Sequence, residues 1–226
     1  MNENAAPAAR SIALDHLVVA CRTLDAGRAW CETTFGTAPA PGGRHALMAT
    51  HNLLLAVSSA RFPRAYIELI AIDPDAPAPT QPRWFDLDQP PLQAQIASGP
   101  RLVHWVARTT DIVAAAAALR STGFDPGPVV DAERMTPRGL LRWRIALAPG
   151  GRRHANGAVP LLIEWGNVHP TDALPESGLE LRSVGVGGIA PELAALLGVD
   201  GHGIASASPL VAELSAPRGP IALISA

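Results

Sequence analysis

One order of segments, strand–helix–strand–strand–strand, is written twice in this chain. Residues 12–20 (IALDHLVVA) are apolar and β-branched, as in a buried strand. A helix is predicted over 23–35, with Asp25 as its cap, Ala29, Trp30 and Thr33 at helical spacing, and Gly36 ending it. Short strands follow near 44–50 and 53–57, with a turn near His51-Asn52, and then a strong strand over 65–72 (AYIELIAI). The second copy runs strand 101–108 (RLVHWVAR), helix 111–122 capped near Thr110-Asp111 and stopped at Gly123, strands 129–135 and 140–148, and strand 159–166 (VPLLIEWG). A sheet unit this small cannot bury its face alone, so two copies imply a shared core.

Residues 73–91, rich in proline and polar side chains, read as a linker or surface excursion. The chain thus divides into a first βαβββ module (11–72), a linker or excursion (73–99), a second βαβββ module (100–168) and a C-terminal β-α-β-β extension (178–226). The extension has the order of an incomplete third unit, an appended half-module suited to covering a sheet edge that would otherwise invite pairing with another chain. The fold class is α+β.

Side chains alternate faces along a strand. Leu14, His16 and Val18 should share a face, as should Tyr66, Glu68 and Ile70; in the second copy the sets are Leu102, His104, Val106 and Leu162, Glu164, Gly166. Each module therefore carries a histidine midway along its first strand and a glutamate midway along its last. A carboxylate buried without a partner costs several kcal/mol, so it neutralises, pairs or binds a metal. Two imidazoles and two carboxylates suit a divalent ion (Zn, Mn, Ni, Co or Fe(II)) with positions left open for water or a bidentate oxygen substrate. His16, Glu68, His104 and Glu164 are the candidate metal ligands. The alternatives are satisfied core or surface histidines, glutamates facing solvent or pairing with Arg142 or Arg144, and a one-residue register shift that turns Trp105 inward in place of His104.

His in strand one and Glu in strand four of each βαβββ unit resembles the vicinal-oxygen-chelate superfamily, and its glyoxalase-like branch in particular. The stretches LDHLVVA, GGRHALMATHN, AYIELIAID, VHWVARTTD, LRWRIALAP and LLIEWG carry the resemblance, within residues 12–166. It implies an open half-barrel sheet with helices outside and the metal in its concavity. It also implies chemistry on a small oxygenated metabolite, of isomerase, lyase or dioxygenase type, through an oxyanion or enediolate held on the metal. Glu164 or Glu68 would then double as ligand and base. In this branch a THN triplet lies near the pocket, which makes His51 a candidate acid or base and Asn52 a candidate amide clamp, unless both simply build a turn. The same resemblance admits a metal-free protein of the bleomycin-resistance type that sequesters a small ligand. Such proteins often build sites across a dimer, so a homodimer is a candidate state.

Arg142 and Arg144 share a strand face and could hold an anionic substrate, or could pair with Glu133 on a solvated face. Gly42 to His45 lacks the strand-to-helix context of a phosphate loop and reads as a hairpin approach. His154, His169 and His202 read as surface residues. The formal net charge of -2 gives no basic field for nucleic acid or acidic lipid. No apolar run approaches a membrane span, and residues 1–10 show no secretory pattern. Two cysteines, Cys21 and Cys31, make no disulfide framework and read as free thiols in a reducing cytoplasm.

Overall fold

The structure is a computed structural model that describes residues 12–136, 139–201 and 208–225; His202 and residues 1–10 lie outside them. The first module comprises β1 (Ala13–Ala20), α1 (Leu24–Phe35), β2 (Ala40–His45), β3 (Thr50–Ala56) and β4 (Tyr66–Ile72). After α2 (Pro90–Ala97), the second comprises β5 (Arg101–Arg108), α3 (Ile112–Ser121), β6 (Val129–Thr136), β7 (Gly139–Ala146) and β8 (Leu161–Trp165). All eight strands form one sheet in the order β2-β3-β4-β1-β5-β8-β7-β6. The first strands of the two modules, β1 and β5, pair antiparallel at its centre, and each pairs in parallel with the last strand of its own module. The sheet curls until its edge strands β2 and β6 meet, with Arg134 of β6 reaching over Gly43 of β2.

The helix ends follow local chemistry. Thr23, not Asp25, caps α1: its Oγ1 accepts the Ala26 N–H at 3.2 Å, and Gly36 closes the helix with φ 76°. Asp111 caps α3 through the Ala114 N–H at 3.0 Å. Both helices lie on the same side of the sheet, over a core that includes Leu17, Val19, Leu69, Trp105 and Leu162. Trp105 is fully buried there and donates its indole N–H to the Ala158 carbonyl, which leaves His104 on the opposite, concave face.

The C-terminal extension builds a second sheet, β10-β9-β11-β12, from β9 (Glu180–Val186), β10 (Asp200–Gly201), β11 (Leu210–Ala216) and β12 (Gly219–Ile224), with α4 (Pro191–Leu196) between β9 and β10. Leu181, Val184, Leu210 and Leu214 join the helix-side core, and the Leu181 N–H bonds to the Val57 carbonyl. The extension therefore covers part of a face of the large sheet rather than one of its edges.

Two readings of loops change. The stretch expected to be a surface excursion places Trp84, Phe85, Leu87 and Leu92 in a second core on the concave face, with Val18, Ala20 and Ile70. Thr50, His51 and Asn52 belong to β3, and the chain reverses just before them, at residues 46–49, where Ala49 takes φ 47°. Among the described residues both cysteines are free and buried, and no helix is long and apolar enough to cross a membrane.

Candidate active site

The concave face holds a small polar chamber built mainly by the first module. His16 and Glu68 face into it from β1 and β4, with His16 Nε2 and Glu68 Oε2 3.5 Å apart. The parallel register sets Val18 opposite Glu68, so His16 lies one step back along the same face. A bulge beside residue 15 breaks the expected alternation: Leu14 packs with Leu17 and Val19 on the helix side, while His16 shares the concave side with Val18.

Asp15 is fully buried and is the hub behind the chamber. It accepts from His16 Nδ1 at 2.7 Å, Trp165 Nε1 at 3.0 Å and His169 Nε2 at 3.0 Å. Burial pushes its carboxyl up, but the bonds from His16 and His169 outweigh that and hold it well below the usual range. His169 is thus buried at Asp15, not on the surface; the Thr171 N–H bonds to its Nδ1, which puts the ring proton on Nε2.

Glu68 is fixed from the other side by Asn52, whose amide donates to Oε1 at 2.6 Å and accepts from the Gly43 N–H at 2.7 Å. Burial pushes Glu68 up and His16 down, yet hydrogen bonds reverse both: the bond with His16 takes Glu68 to about 2, and the bonds with Asp15 first and Glu68 second take His16 to about 9. The pair is therefore a carboxylate beside an imidazolium at neutral pH. His45 stands next to it, between Thr50 Oγ1 and the Asn52 amide, and burial takes it down to about 4. Arg134, Trp84 and Trp143 complete the lining.

The other expected site residues lie elsewhere. Val106 of β5 pairs with Leu161 of β8, as Val18 pairs with Glu68, so Leu161 occupies the place equivalent to Glu68. Glu164 is three residues farther on, an odd step that turns it to the helix side. There it accepts the Ile112 N–H at the start of α3 and pairs with Arg144 at 3.4 Å, while Ile163 and Trp165 face the chamber. Arg142 bonds Glu133, on the face opposite Trp143. His51 points away from Asn52, with Asp73 3.9 Å from its ring. His104 is on the concave face, but Val18 stands between it and Glu68 in the sheet, and Phe85 packs on its ring. It lines a separate cavity of about 450 Å³ that shares the Trp84–Phe85 wall with the chamber.

The residues present do not fit the divalent ion suggested by the sequence. The four expected ligands are split among the chamber, the neighbouring cavity and the helix side. Among the described residues no group of three or more His, Cys, Asp or Glu is arranged to hold an ion. Of the sequence candidates, the chamber brings together His16, Glu68 and Asn52; beside or behind them stand Asp15, His45, Arg134 and His169, which the sequence did not single out as site residues. The clearest unused signal was Gly42-Gly43: a Cβ at Gly42 would sit 2.0 Å from Asn52 Oδ1, and one at Gly43 2.3 Å from Arg134 Nη1.

Comparison with known proteins agrees with this architecture. A family model described as a glyoxalase-like domain matches residues 14–198. No curated protein matches the chain. Among solved structures, a hypothetical protein from Staphylococcus aureus is 16% identical over 95% of this chain and 85% of its own, with a TM-score of 0.53, and shares the fold. A methylmalonyl-CoA epimerase from Mycobacterium tuberculosis is 19% identical over 76% of this chain and 97% of its own, with a TM-score of 0.40. A Streptomyces coelicolor methylmalonyl-CoA epimerase in complex with 2-nitronate-propionyl-CoA is 19% identical over 69% and 97%, at 0.41. With a glyoxalase-like model matching most of its length and the curled eight-stranded sheet of paired βαβββ modules, the chain belongs to the glyoxalase-like domain family of the vicinal-oxygen-chelate superfamily.

Proposed function

We propose that the protein is a glyoxalase-like enzyme that moves a proton on a small oxygenated metabolite, by isomerase or lyase chemistry, at the His16–Glu68 pair. The observation that carries this reading is the pair itself: a buried carboxyl group and a buried imidazole ring 3.5 Å apart at a chamber wall, each locked from behind. Glu68 is the base that takes a proton from carbon next to a carbonyl. His16, held by Asp15, is the acid and electrostatic partner for the oxyanion that forms. His16 thereby supplies the electrophilic help that the sequence pattern had assigned to a metal, and no step needs His104 or Glu164.

The test is deuterium uptake from D2O, followed by proton NMR, over a panel of 2-oxo acids, 2-hydroxy aldehydes and α-substituted acyl thioesters. Wild type is expected to exchange at least one compound, and Glu68→Gln to slow that exchange by about 100-fold or more. Exchange that survives in Glu68→Gln would remove the assigned base.

The cavity of about 450 Å³ beside His104, with Met48, Trp84, Phe85 and Leu147 in its lining, favours a second reading, a protein that sequesters a small apolar ligand. Thermal stabilisation by members of a ligand panel, with no proton exchange in any of them, would decide for it.

A further inference from the structure

Buried polar side-chain atoms are nearly always hydrogen-bonded. Among the described residues four are not: Arg134 Nε, Arg134 Nη1, Trp84 Nε1 and His104 Nδ1. All four belong to residues that line the chamber or the cavity across the Trp84–Phe85 wall. Three of these atoms, on Arg134 and Trp84, are N–H donors on residues that line the chamber. Both residues offer N–H donors, so the partner they lack is an acceptor, and beside the Arg134 cation an anionic acceptor makes the stronger, charge-assisted bond.

We infer that the chamber takes an organic acid, its carboxylate received by Arg134 and the Trp84 indole beside the His16–Glu68 pair. This deepens the proposed function by naming the substrate class, and it rests on that reading. Three features of the chain support it. Half of the aromatic residues (Tyr66, Trp84, Phe85, Trp143 and Trp165) line this chamber, which walls a charged head group off from water and strengthens its hydrogen bonds. The free space, about 40 Å³, holds a head group of a few heavy atoms rather than a whole metabolite. Gly43 is also specific to this arrangement. The guanidinium of Arg134 occupies the space a Cβ there would need, so the edge strand β2 is cut away to let an arginine of the opposite edge strand reach the site.

A purely structural role, fastening β6 to β2, would give those guanidinium nitrogens protein acceptors. Instead, Glu68, which lines the same space, acts on Arg134 through its charge, and Nε and Nη1 have no protein acceptor.

The test uses matched pairs of acid and amide of one shape: acetate and acetamide, benzoate and benzamide, cinnamate and cinnamamide. Binding is read by calorimetry and by quenching of tryptophan fluorescence. In at least one pair the acid is expected to bind about tenfold more tightly or better, as a charge-assisted hydrogen bond to a partly buried cation provides. Arg134→Gln should erase that preference, and Arg134→Lys should restore part of it. Gly43→Ala should weaken it by displacing the guanidinium, with the melting temperature near that of wild type, because Gly43 has no left-handed backbone and only the end of a flexible side chain must move. If Arg134→Gln fails to fold, Gly43→Ala carries the test.

Equal binding of acid and amide in every pair would overturn the inference, as would a preference that survives both variants. The two readings fail separately. Loss of proton exchange in Glu68→Gln with no acid preference would leave the enzyme and remove the anchor. An Arg134-dependent preference with no proton exchange in any compound would leave the anchor and remove the enzyme.

Discussion

The two modules share an order of elements, a histidine in the first strand and a glutamate in the last, yet only the first brings its pair together. In the first, Glu68 lies opposite Val18 and one step from His16. In the second, Leu161 holds that place, and Glu164, three residues beyond, faces α3. Similar separations along the chain therefore say little about whether two side chains meet. What decides is strand phase, and an odd shift sends a residue to the other face. The first module supplies the chamber's polar cluster; the second supplies part of its wall, through Arg134, Trp143 and Trp165.

The sharpest way to break this comparison is to remove each glutamate in turn. Glu68→Gln should lower turnover by two to four orders of magnitude, roughly the worth of a positioned general base, while Glu164→Gln should leave it within about twofold. Matched kinetics of the two variants on any substrate found by proton exchange would check this.

The residues preceding the two histidines differ as much as the glutamates. Asp15 holds three donors, the buried His16 and His169 and the partly buried Trp165, and Val103 packs in the concave core. Asp15→Ala should cost about 3–5 kcal/mol, since it leaves buried partners uncompensated, whereas Val103→Ala should cost only about 1–3 kcal/mol as a lost apolar side chain. Urea unfolding curves would separate them.

The histidines themselves should respond to pH in opposite directions. His16 is raised from 6.5 to about 9, so its stabilisation is complete below pH 6.5 and is lost as pH rises toward 9. His104 is lowered by burial, and further by Arg153, to about 3; its neutral form is the one the fold tolerates, so stability falls as pH drops from 6.5 toward 3. Replacing His16 with Asn should flatten the alkaline limb of stability against pH. Replacing His104 with Asn should flatten part of the acid limb, to which His45 also contributes. A variant that changed the wrong limb would undo the assignment of charge to these rings.

The smallest effect belongs to Glu164 in its actual place. As an anion at the start of α3 it should contribute about 0.3–1 kcal/mol, to be lost in Glu164→Gln.

Much of this was legible in the sequence. The central strands, α1, α3 and the doubled module order follow from β-branched runs, caps and glycine stops, and His16 and Glu68 stood out as polar residues inside apolar strands. The phase of β8 did not, because VPLLIEWG is apolar without alternation, as strands covered on both faces are. The Asp73–Pro91 stretch looked like a surface excursion because its prolines outweighed Trp84, Phe85 and Leu87, which only the curled sheet gives a place to bury. His45 and Arg134 sit on opposite edge strands and meet only when the sheet closes, which no local pattern records. Asp15 was hidden by a bulge, a feature that alternation cannot anticipate.

The most direct test of the asymmetry between the modules is divalent-ion content, by elemental analysis of wild type, Glu164→Gln and His104→Ala after incubation with Zn, Mn, Ni, Co or Fe(II). The account expects no stoichiometric ion shared between the modules, and the same content in all three proteins. One ion per chain in wild type, lost in both variants, would contradict it and would restore a four-residue site spanning both modules.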